Sequence, residues 1–510
     1  MNRDKKIFLY SIVFGAGAAV MAIEMAASRL LAPYFGTSIF VWGSIIGVVL
    51  IALSLGYWIG GKYADKHPEI ECLMLILVVA GLFATFIPIL FYQFIEIIIA
   101  RLLFGAELII GSFFVMVILF FIPIFLLGMV SPFAIRISVS SVENSGKTAG
   151  NLYAFSTIGS ILGTFLSSFW LIPFVGTRET IFISSSVLLL LGALGMKKNK
   201  FLFYLFVAIP IVFIFLFSKD IIKPSKGLVY EKETPYQYVQ VVKEENSDRY
   251  LLLINDGHGV QSIYDPKNII LDNYYDYYSV LPYLHKNNTG DLDVLLIGLG
   301  GGTISHQYLN LFEDKYNLKI DGVEFDPGVI TAAKEYFDLN NQDINIYTSD
   351  GRTFLRASDK KYDLIIVDAY AQQIYIPFHL STQEYFNEVN EHLNENGILA
   401  MNINAIKYES RLLQSILQTV KSVYRNTYAV PLGRDGFNWL VVASDKDLEF
   451  DSMQKKNSIG ILNDIVKEVA QKVITVQQDQ SANILYDNKA PVELLTEKEI
   501  LDFIYSNKKI

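Results

Sequence analysis

Seven apolar stretches crowd the first 217 residues, at positions 7–31, 38–60, 72–91, 109–129, 151–174, 180–196 and 201–217. Crossing the hydrocarbon core of a bilayer takes about 20 such residues in a helix. Residues 1–222 are therefore expected to form a multi-span α-helical membrane domain of about seven helices. A further stretch, 93–104, is too short and too mixed to cross and is expected to lie in the interface. The first stretch is not a cleaved signal peptide, because its apolar run is too long and continues through Arg29 into a second span.

Charge divides the chain at the same place. The first 225 residues hold 15 Lys and Arg against 10 Asp and Glu, and the remainder holds 27 against 41, which gives the overall −9. An acidic water-soluble half argues against nucleic acid, whose phosphates are met by basic residues. The single cysteine, Cys72, excludes an intrachain disulfide and a cysteine metal cluster, and the histidines lack ligand spacing. No metal is expected. Arg3, Lys5, Lys6, Lys62, Lys66, Arg136, Lys147, Lys197, Lys198 and Lys200 fall on one face of a seven-span arrangement, which the positive-inside rule makes cytoplasmic. An odd span count then puts the soluble half on the opposite side; one span more or fewer reverses this.

Glu24 and Arg29 lie inside the first span, where a charge costs a few kcal/mol or more. Both should face the bundle or a water-filled cavity. A substrate or ion path and a polar latch between helices, with Arg29 snorkelling, fit equally.

The soluble half has two rhythms. Residues 226–285 read as a small β domain, with β-branched and aromatic runs from Tyr236 and from Tyr250 joined by a polar hairpin. The cluster Tyr274, Tyr275, Tyr277 and Tyr278 suits either a flat ligand or a core with hydroxyls at its rim. Residues 286–510 alternate strand and helix patterns, as an α/β Rossmann-like domain of the S-adenosylmethionine-methyltransferase type does. Its key feature is the run DVLLIGLGGGT at 293–303, an apolar strand delivering Gly298, Gly300, Gly301 and Gly302 into a tight turn. No Gly-Lys-Ser or Gly-Lys-Thr follows, which excludes a phosphate loop of the kinase or GTPase kind. Further hydrophobic runs end near Asp321, Glu324 and Asp326, at Asp350-Gly351, and at Asp368. Ligands of open α/β sheets sit at the carboxyl ends of strands, so these acids are candidates for the floor of one pocket. Glu324 is placed to accept ribose hydroxyls, and Asp350 an adenine amino proton. Asp326, before Pro327, reads as a turn or cap residue. His379 either shields a ligand tail or sits beside a helix capped by Ser381 or Thr382.

From about residue 236 to 402 the chain resembles the spermidine synthase (polyamine aminopropyltransferase) family. The whole layout, and the run EMAASRLLAPYFGTS at 24–38, resembles that family's membrane-fused branch, as does the closing segment 487–493. The resemblance implies that Gln237, Gln261 and Tyr274 contact ligand, that Glu324 holds ribose, Asp350 and Gly351 adenine, and that Asp368 is the catalytic carboxylate. Tyr275, Tyr370 and His379 become candidates for the substrate tail. Such enzymes move the aminopropyl arm of decarboxylated S-adenosylmethionine to an amine and release methylthioadenosine.

Two departures stand out. The family's Gly-Gly-Gly-Asp-Gly becomes Gly298-Leu299-Gly300-Gly301-Gly302, so the acid that grips the donor's amino tail is Gly301. The Asp-x-x-Asp motif becomes Asp368-Ala369-Tyr370-Ala371, which removes the second acid of the diamine site. A buried unpaired ammonium is prohibitive, so the diamine site is disarmed. Three chemistries remain for a bound sulfonium: aminopropyl transfer, methyl transfer, and attack by the substrate's own carboxylate on its γ-carbon. The last needs no acceptor and gains from proximity. The expectation is thus an integral-membrane enzyme cleaving S-adenosylmethionine to methylthioadenosine and homoserine lactone. Aminopropyl transfer and a non-catalytic sensor or transport-coupled domain are the alternatives. The partners implied are a nucleoside sulfonium, the lipid bilayer and a second copy of the chain, with no cofactor beyond the substrate.

Overall fold

The structure is a computed structural model that describes residues 3–101, 110–139, 142–195, 204–205, 208–209, 211–213, 216, 221–255, 257, 259–285, 289–370, 375–433, 437–479 and 482–507. The chain divides into two compact units, Met1–Lys223 and Pro224–Ile510.

Within the first unit, six helices are long and apolar enough to cross a membrane: α1 (Arg3–Phe35), α2 (Ile39–Lys66), α3 (Ile70–Arg101), α4 (Ser112–Ser138), α5 (Ser145–Phe174) and α6 (Thr177–Gly195). A helix is the natural form for these sequences because it satisfies every backbone polar group within the segment. Small residues set their spacing. A Cβ added at Gly159 would lie 2.1 Å from the Phe14 carbonyl oxygen, one at Gly163 2.3 Å from that of Ala18, and one at Gly17 2.3 Å from that of Ser156. The backbones of α1 and α5 therefore touch, and Ser160 Oγ donates to the Gly17 carbonyl at 3.3 Å. Glu24 is buried among these helices and Arg29 is half-buried.

Two expectations change here. Most of the seventh expected span, 201–217, and the lysines at 197–200 lie outside the described residues. The stretch from residue 93 is not a separate interfacial element, because α3 runs unbroken to Arg101. No proline or glycine occurs between 89 and 101 to stop it; residues 102–104 are outside the described set.

The second unit opens with an antiparallel meander, β1 (Leu228–Glu233), β2 (Tyr238–Lys243), β3 (Tyr250–Ile254) and β4 (Val260–Tyr264). A one-turn-per-three-residue helix, Tyr274–Val280, leads into the main sheet. That sheet has β5 (Gly290–Ile297), β6 (Tyr316–Glu324), β7 (Asn345–Thr348), β8 (Tyr362–Val367), β9 (Leu393–Asn404), β10 (Asn426–Leu432), β11 (Asn438–Ser444) and β12 (Ile474–Thr475). Their spatial order is β12-β10-β11-β9-β8-β5-β6-β7. Strands β9 to β7 pair in parallel, and β11, β10 and β12 add an antiparallel edge.

The intervening helices are α7 (Thr303–Phe312), α8 (Pro327–Tyr336), α9 (Gly351–Ala357), α10 (Gln383–Glu391), α11 (Arg411–Lys421), α12 (Asn463–Lys472) and α13 (Val492–Asn507). The alternation along β5 shows why both faces need cover. Val294 and Leu296 pack with Tyr308 and Phe312 on one side, whereas Leu295 and Ile297 pack with Leu355, Tyr385 and Leu413 on the other. After β5 the chain builds outward through β6 and β7, then returns to lay β8 against β5's other edge. The order reverses between β5 and β8, which is where an open α/β sheet leaves a crevice at its carboxyl end.

Candidate functional site

The glycine turn after β5 fills that crevice. Gly298, Gly300 and Gly302 have φ of 89°, 54° and 80°, a region that side chains rarely enter. A Cβ at Gly298 would lie 2.4 Å from the Asp368 carbonyl oxygen, so the loops leaving β5 and β8 are in backbone contact. Asp368 N–H donates to the Ile297 carbonyl at 2.9 Å, and Gly300 N–H donates to Glu324 Oε2 at 2.9 Å. One turn thus links the acids ending β6 and following β8.

Gly351 closes the third side. Its absent side chain lets the start of α9 meet the Ile297 side chain, 2.3 Å from where a Cβ would stand. Strand β4 seals the turn from the small sheet, because Thr303 Oγ1 donates to the Ile263 carbonyl and accepts from Ile263 N–H. Gly301 N–H donates to Ser262 Oγ at 2.7 Å, and a Cβ on Gly301 would come within 2.7 Å of Phe337 and 2.8 Å of Ser262 Cβ. The position where the resembled family carries an acid is packed shut.

Asp368 is the most perturbed acid here. Burial pushes its carboxyl up to about 7, against hydrogen bonds from Tyr274 and Asn402 that favour the anion. Tyr274 Oη donates to Oδ2 at 3.1 Å, and Asn402 Nδ2 to Oδ1 at 3.4 Å. No helix begins at Asp368, so it is not a capping acid. Tyrosines surround it: Tyr274 and Tyr275 have ring centroids 4.1 Å apart, Tyr278 meets Tyr274 edge-on, and Tyr370 Oη donates to the Asn402 carbonyl at 2.8 Å. Burial and the Asp368 charge together hold the hydroxyls of Tyr274, Tyr275, Tyr278 and Tyr370 far above an ordinary phenol in pKa.

The remaining expected residues divide between the crevice and the scaffold. Glu324 accepts from Gly300 and Asp326 backbone N–H groups, and burial still leaves its pKa raised. Asp326 caps α8 through Gly328 N–H and accepts from Thr234 Oγ1, with the Gln237 side chain as a further donor. Gln261 lies on β4 with its carbonyl beside Gly300. Asp321 is not at the crevice. It is buried with Tyr362, Lys360 and Asn345 at the other end of the sheet, where those three partners outweigh burial and lower its pKa.

Asp350 has two partners already. One oxygen caps α9 through Thr353, and the other meets His379 Nε2 at 2.8 Å, which with the cap holds the acid below the usual carboxylate range. Thr382 caps α10. Ala371 is outside the described residues.

Sequence reasoning missed the group that fixes this edge. Arg352, almost fully buried, donates to Glu388, to Asp487 and to the His379 carbonyl, and Thr382 Oγ1 also donates to Asp487. The closing segment that begins at Asp487 therefore clamps the loop that carries His379. Asn402 was also not singled out as a ligand group, because nothing local in its sequence marks it; Tyr278 was read only as one of a tyrosine cluster, suited to a flat ligand or to the core. Among the described residues no cluster of His, Cys, Asp or Glu could hold a metal ion. A surface depression of about 580 Å³ lies on the small sheet around Lys243, Asp248 and Lys267, and none of the candidate residues lines it.

Residues 280–452, which span the glycine turn, Asp368 and Asn402, match the spermine/spermidine synthase domain. This stretch is similar to a spermine/spermidine synthase domain. A probable polyamine aminopropyl transferase of Bifidobacterium longum is 36% identical over 290 residues, 53% of this chain and 62% of that protein. The chain thus spans less than two thirds of that relative's length. A polyamine aminopropyltransferase of Vibrio vulnificus is 24% identical over 56% of this chain and 98% of its own length. Polyamine aminopropyltransferase 2 of Aquifex aeolicus is 22% identical over 88% of this chain and 90% of its own, so that match extends beyond the synthase domain into the helical unit. A solved structure of a probable spermidine synthase from Corynebacterium glutamicum superposes with a TM-score of 0.40 at 16% identity, covering 52% of this chain and 97% of that one.

Proposed function

We propose that the synthase domain transfers an aminopropyl group from a decarboxylated adenosyl sulfonium to an amine and releases methylthioadenosine. The observation that supports it best is Asp368, a buried carboxylate whose affinity for a proton is raised to about 7. An amine reaches the site protonated and must lose a proton before it can attack, and a base poised near neutrality suits that step. Intramolecular cleavage of S-adenosylmethionine needs no base, and it would bring the substrate's carboxylate beside a second buried anion. The relatives' names agree with transfer. The sulfonium is itself an activated leaving group, so displacement calls for no metal and no redox cofactor.

In this reading the turn at Gly298, Gly300 and Gly301 lets the nucleoside approach backbone, and Glu324 takes the ribose hydroxyls. Gly351 and the Asp350–His379 pair border the adenine. Gln237, Gln261 and Tyr274 contact the donor, with Tyr275 and Tyr370 along its tail. The helical unit holds the protein in a lipid bilayer.

Cleavage of S-adenosylmethionine is kept as a second reading because of one observation, the packing of Phe337 and Ser262 against Gly301, which leaves no room for an acid on the donor's amino tail. Purified full-length protein separates the two. Decarboxylated S-adenosylmethionine with a primary amine should release methylthioadenosine, and Asp368→Asn should slow this by about 10²-fold or more. Release from S-adenosylmethionine alone, with homoserine lactone as co-product, would overturn transfer in favour of cleavage.

A further inference from the structure

The surroundings of Asp368 specify more about the acceptor than its reaction type. Two polar atoms there are buried and have no hydrogen-bond partner: Tyr278 Oη and Asn402 Oδ1. Tyr278 is fully buried and Asn402 nearly so. Tyr278 is close enough to Asp368 for the carboxylate's charge to add to burial in raising the pKa of its neutral hydroxyl, and the Asn402 amide is already joined to Asp368 through Nδ2. Leaving such atoms unpaired costs about 1–3 kcal/mol each, so a site that keeps them is built for something that fills them.

Their number is informative. A primary ammonium has three N–H donors, and the Asp368 carboxylate, Tyr278 Oη and Asn402 Oδ1 are three acceptors. Tyr274, Tyr275 and Tyr370 stand near the same carboxylate, and aromatic rings are a favourable surrounding for a cation. Among the described residues no second charge acts on Asp368. Burial, Tyr274 and Asn402 are what set the proton affinity of Asp368, with no neighbouring charge contributing. The chain that follows, from Ala369 to Phe378, contains no charged residue at all.

Resting on the aminopropyl-transfer reading, we infer that the acceptor is a primary monoamine with an apolar body, its one ammonium held by Asp368, Tyr278 and Asn402, rather than a diamine. A distal ammonium would be buried without a counter-charge, which is far more costly than burying a methyl group. The step balances: the ammonium gives one proton to Asp368, the neutral amine forms a bond to the aminopropyl carbon as the C–S bond breaks, and the departing electron pair neutralises the sulfonium as methylthioadenosine. Asp368 then returns its proton to solvent.

The test is a competition in amine length and charge. Full-length protein is given decarboxylated S-adenosylmethionine with n-pentylamine or 1,5-diaminopentane at pH 8, and methylthioadenosine and the alkylated amine are measured. The expected result is kcat/KM for pentylamine at least tenfold above that for the diamine. A diamine that performs equally or better overturns the inference and leaves aminopropyl transfer standing. Alkylation of neither amine overturns both. Tyr278→Phe supplies an independent readout: KM for pentylamine should rise about fivefold or more while Tm stays level or increases, since a buried unpaired hydroxyl is removed. An unchanged KM with a lowered Tm would make the hydroxyl structural and remove Tyr278 from the site.

Discussion

Asp368 binds its proton more tightly in the folded chain than in the unfolded one, because burial raises its pKa from 3.8 to about 7. The sign of the consequence follows by linkage. The proton-bound form is favoured by folding, so the group's contribution to stability is complete below about pH 4 and is lost as pH rises towards 7. Asp368→Asn replaces the acid with a neutral group of the same shape. Its Tm should exceed that of the parent at pH 8, and the gain should vanish near pH 4. A pH-independent difference in thermal denaturation would mean that the carboxylate is not held in its protonated form. Activity carries the opposite sign, since the base must be unprotonated, and should fall as pH drops below about 7.

Arg352 is the structural counterpart. Its guanidinium satisfies Glu388 and Asp487 at once, and Asp487 is 40% exposed, so part of the pairing is screened. Arg352→Met should destabilise by about 1–2 kcal/mol in chemical denaturation, mostly by losing the buried bridge to Asp487 and the His379 carbonyl, since Arg356 still donates to Glu388.

At the scale of elements, the β5 turn ties the sheet to the chemistry. Gly298→Ala would place a methyl group 2.4 Å from the Asp368 carbonyl oxygen at a φ of 89°. Because backbone rather than a flexible side chain is in the way, the loop bearing Asp368 must move. Turnover should fall by about 10²-fold or more, the loss that a 1 Å misplacement of a reacting group brings. Binding of methylthioadenosine, read by calorimetry, should weaken with it.

This turn and the acids after β6 and β8 were legible in the sequence for a simple reason. An apolar run buried on both faces must end in residues that turn, and the local pattern records both facts. The six described helices were legible on the same ground. Groups that act across distance were not. Asn402 is one polar residue near the end of β9, and although Tyr278 stood out as part of a tyrosine cluster, its nearness to an acid 90 residues further on did not. Arg352 reaches Asp487 across 135 residues, so only the folded chain shows that the closing segment braces His379. Asp350 was read as a ligand acid, and its capping of α9 and its pairing with His379 emerge only when β7, α9 and the loop after β8 are assembled. The end of α3 was misjudged because mixed composition, without a helix breaker, does not interrupt a helix.

For the whole molecule the question is what covers the helical unit. Its outer surface includes Phe155, Ile158, Leu162, Phe165, Phe169 and Trp170 along α5, and Leu50, Ile51 and Trp58 along α2, all exposed. Soluble monomers rarely expose contiguous apolar patches beyond a few hundred Å². Single apolar residues on a surface are ordinary, but whole faces of α2 and α5 are not, since only about a third and a fifth of their most apolar windows are buried. A lipid bilayer would resolve the conflict without any partner, because these helices satisfy their own backbone and present hydrocarbon outward. Insertion of even one such helix is effectively irreversible compared with peripheral anchoring. Membranes from cells producing the full-length protein should therefore keep it after washing with high salt and with alkaline carbonate, and release it only to detergent. The acidic second unit makes the salt wash informative, because an attachment through charge would be screened away within a Debye length of about 3 Å at 1 M salt. Release by carbonate would mean that α2 and α5 bury their apolar faces against protein, and the helical unit would then be a docking module instead of a membrane anchor.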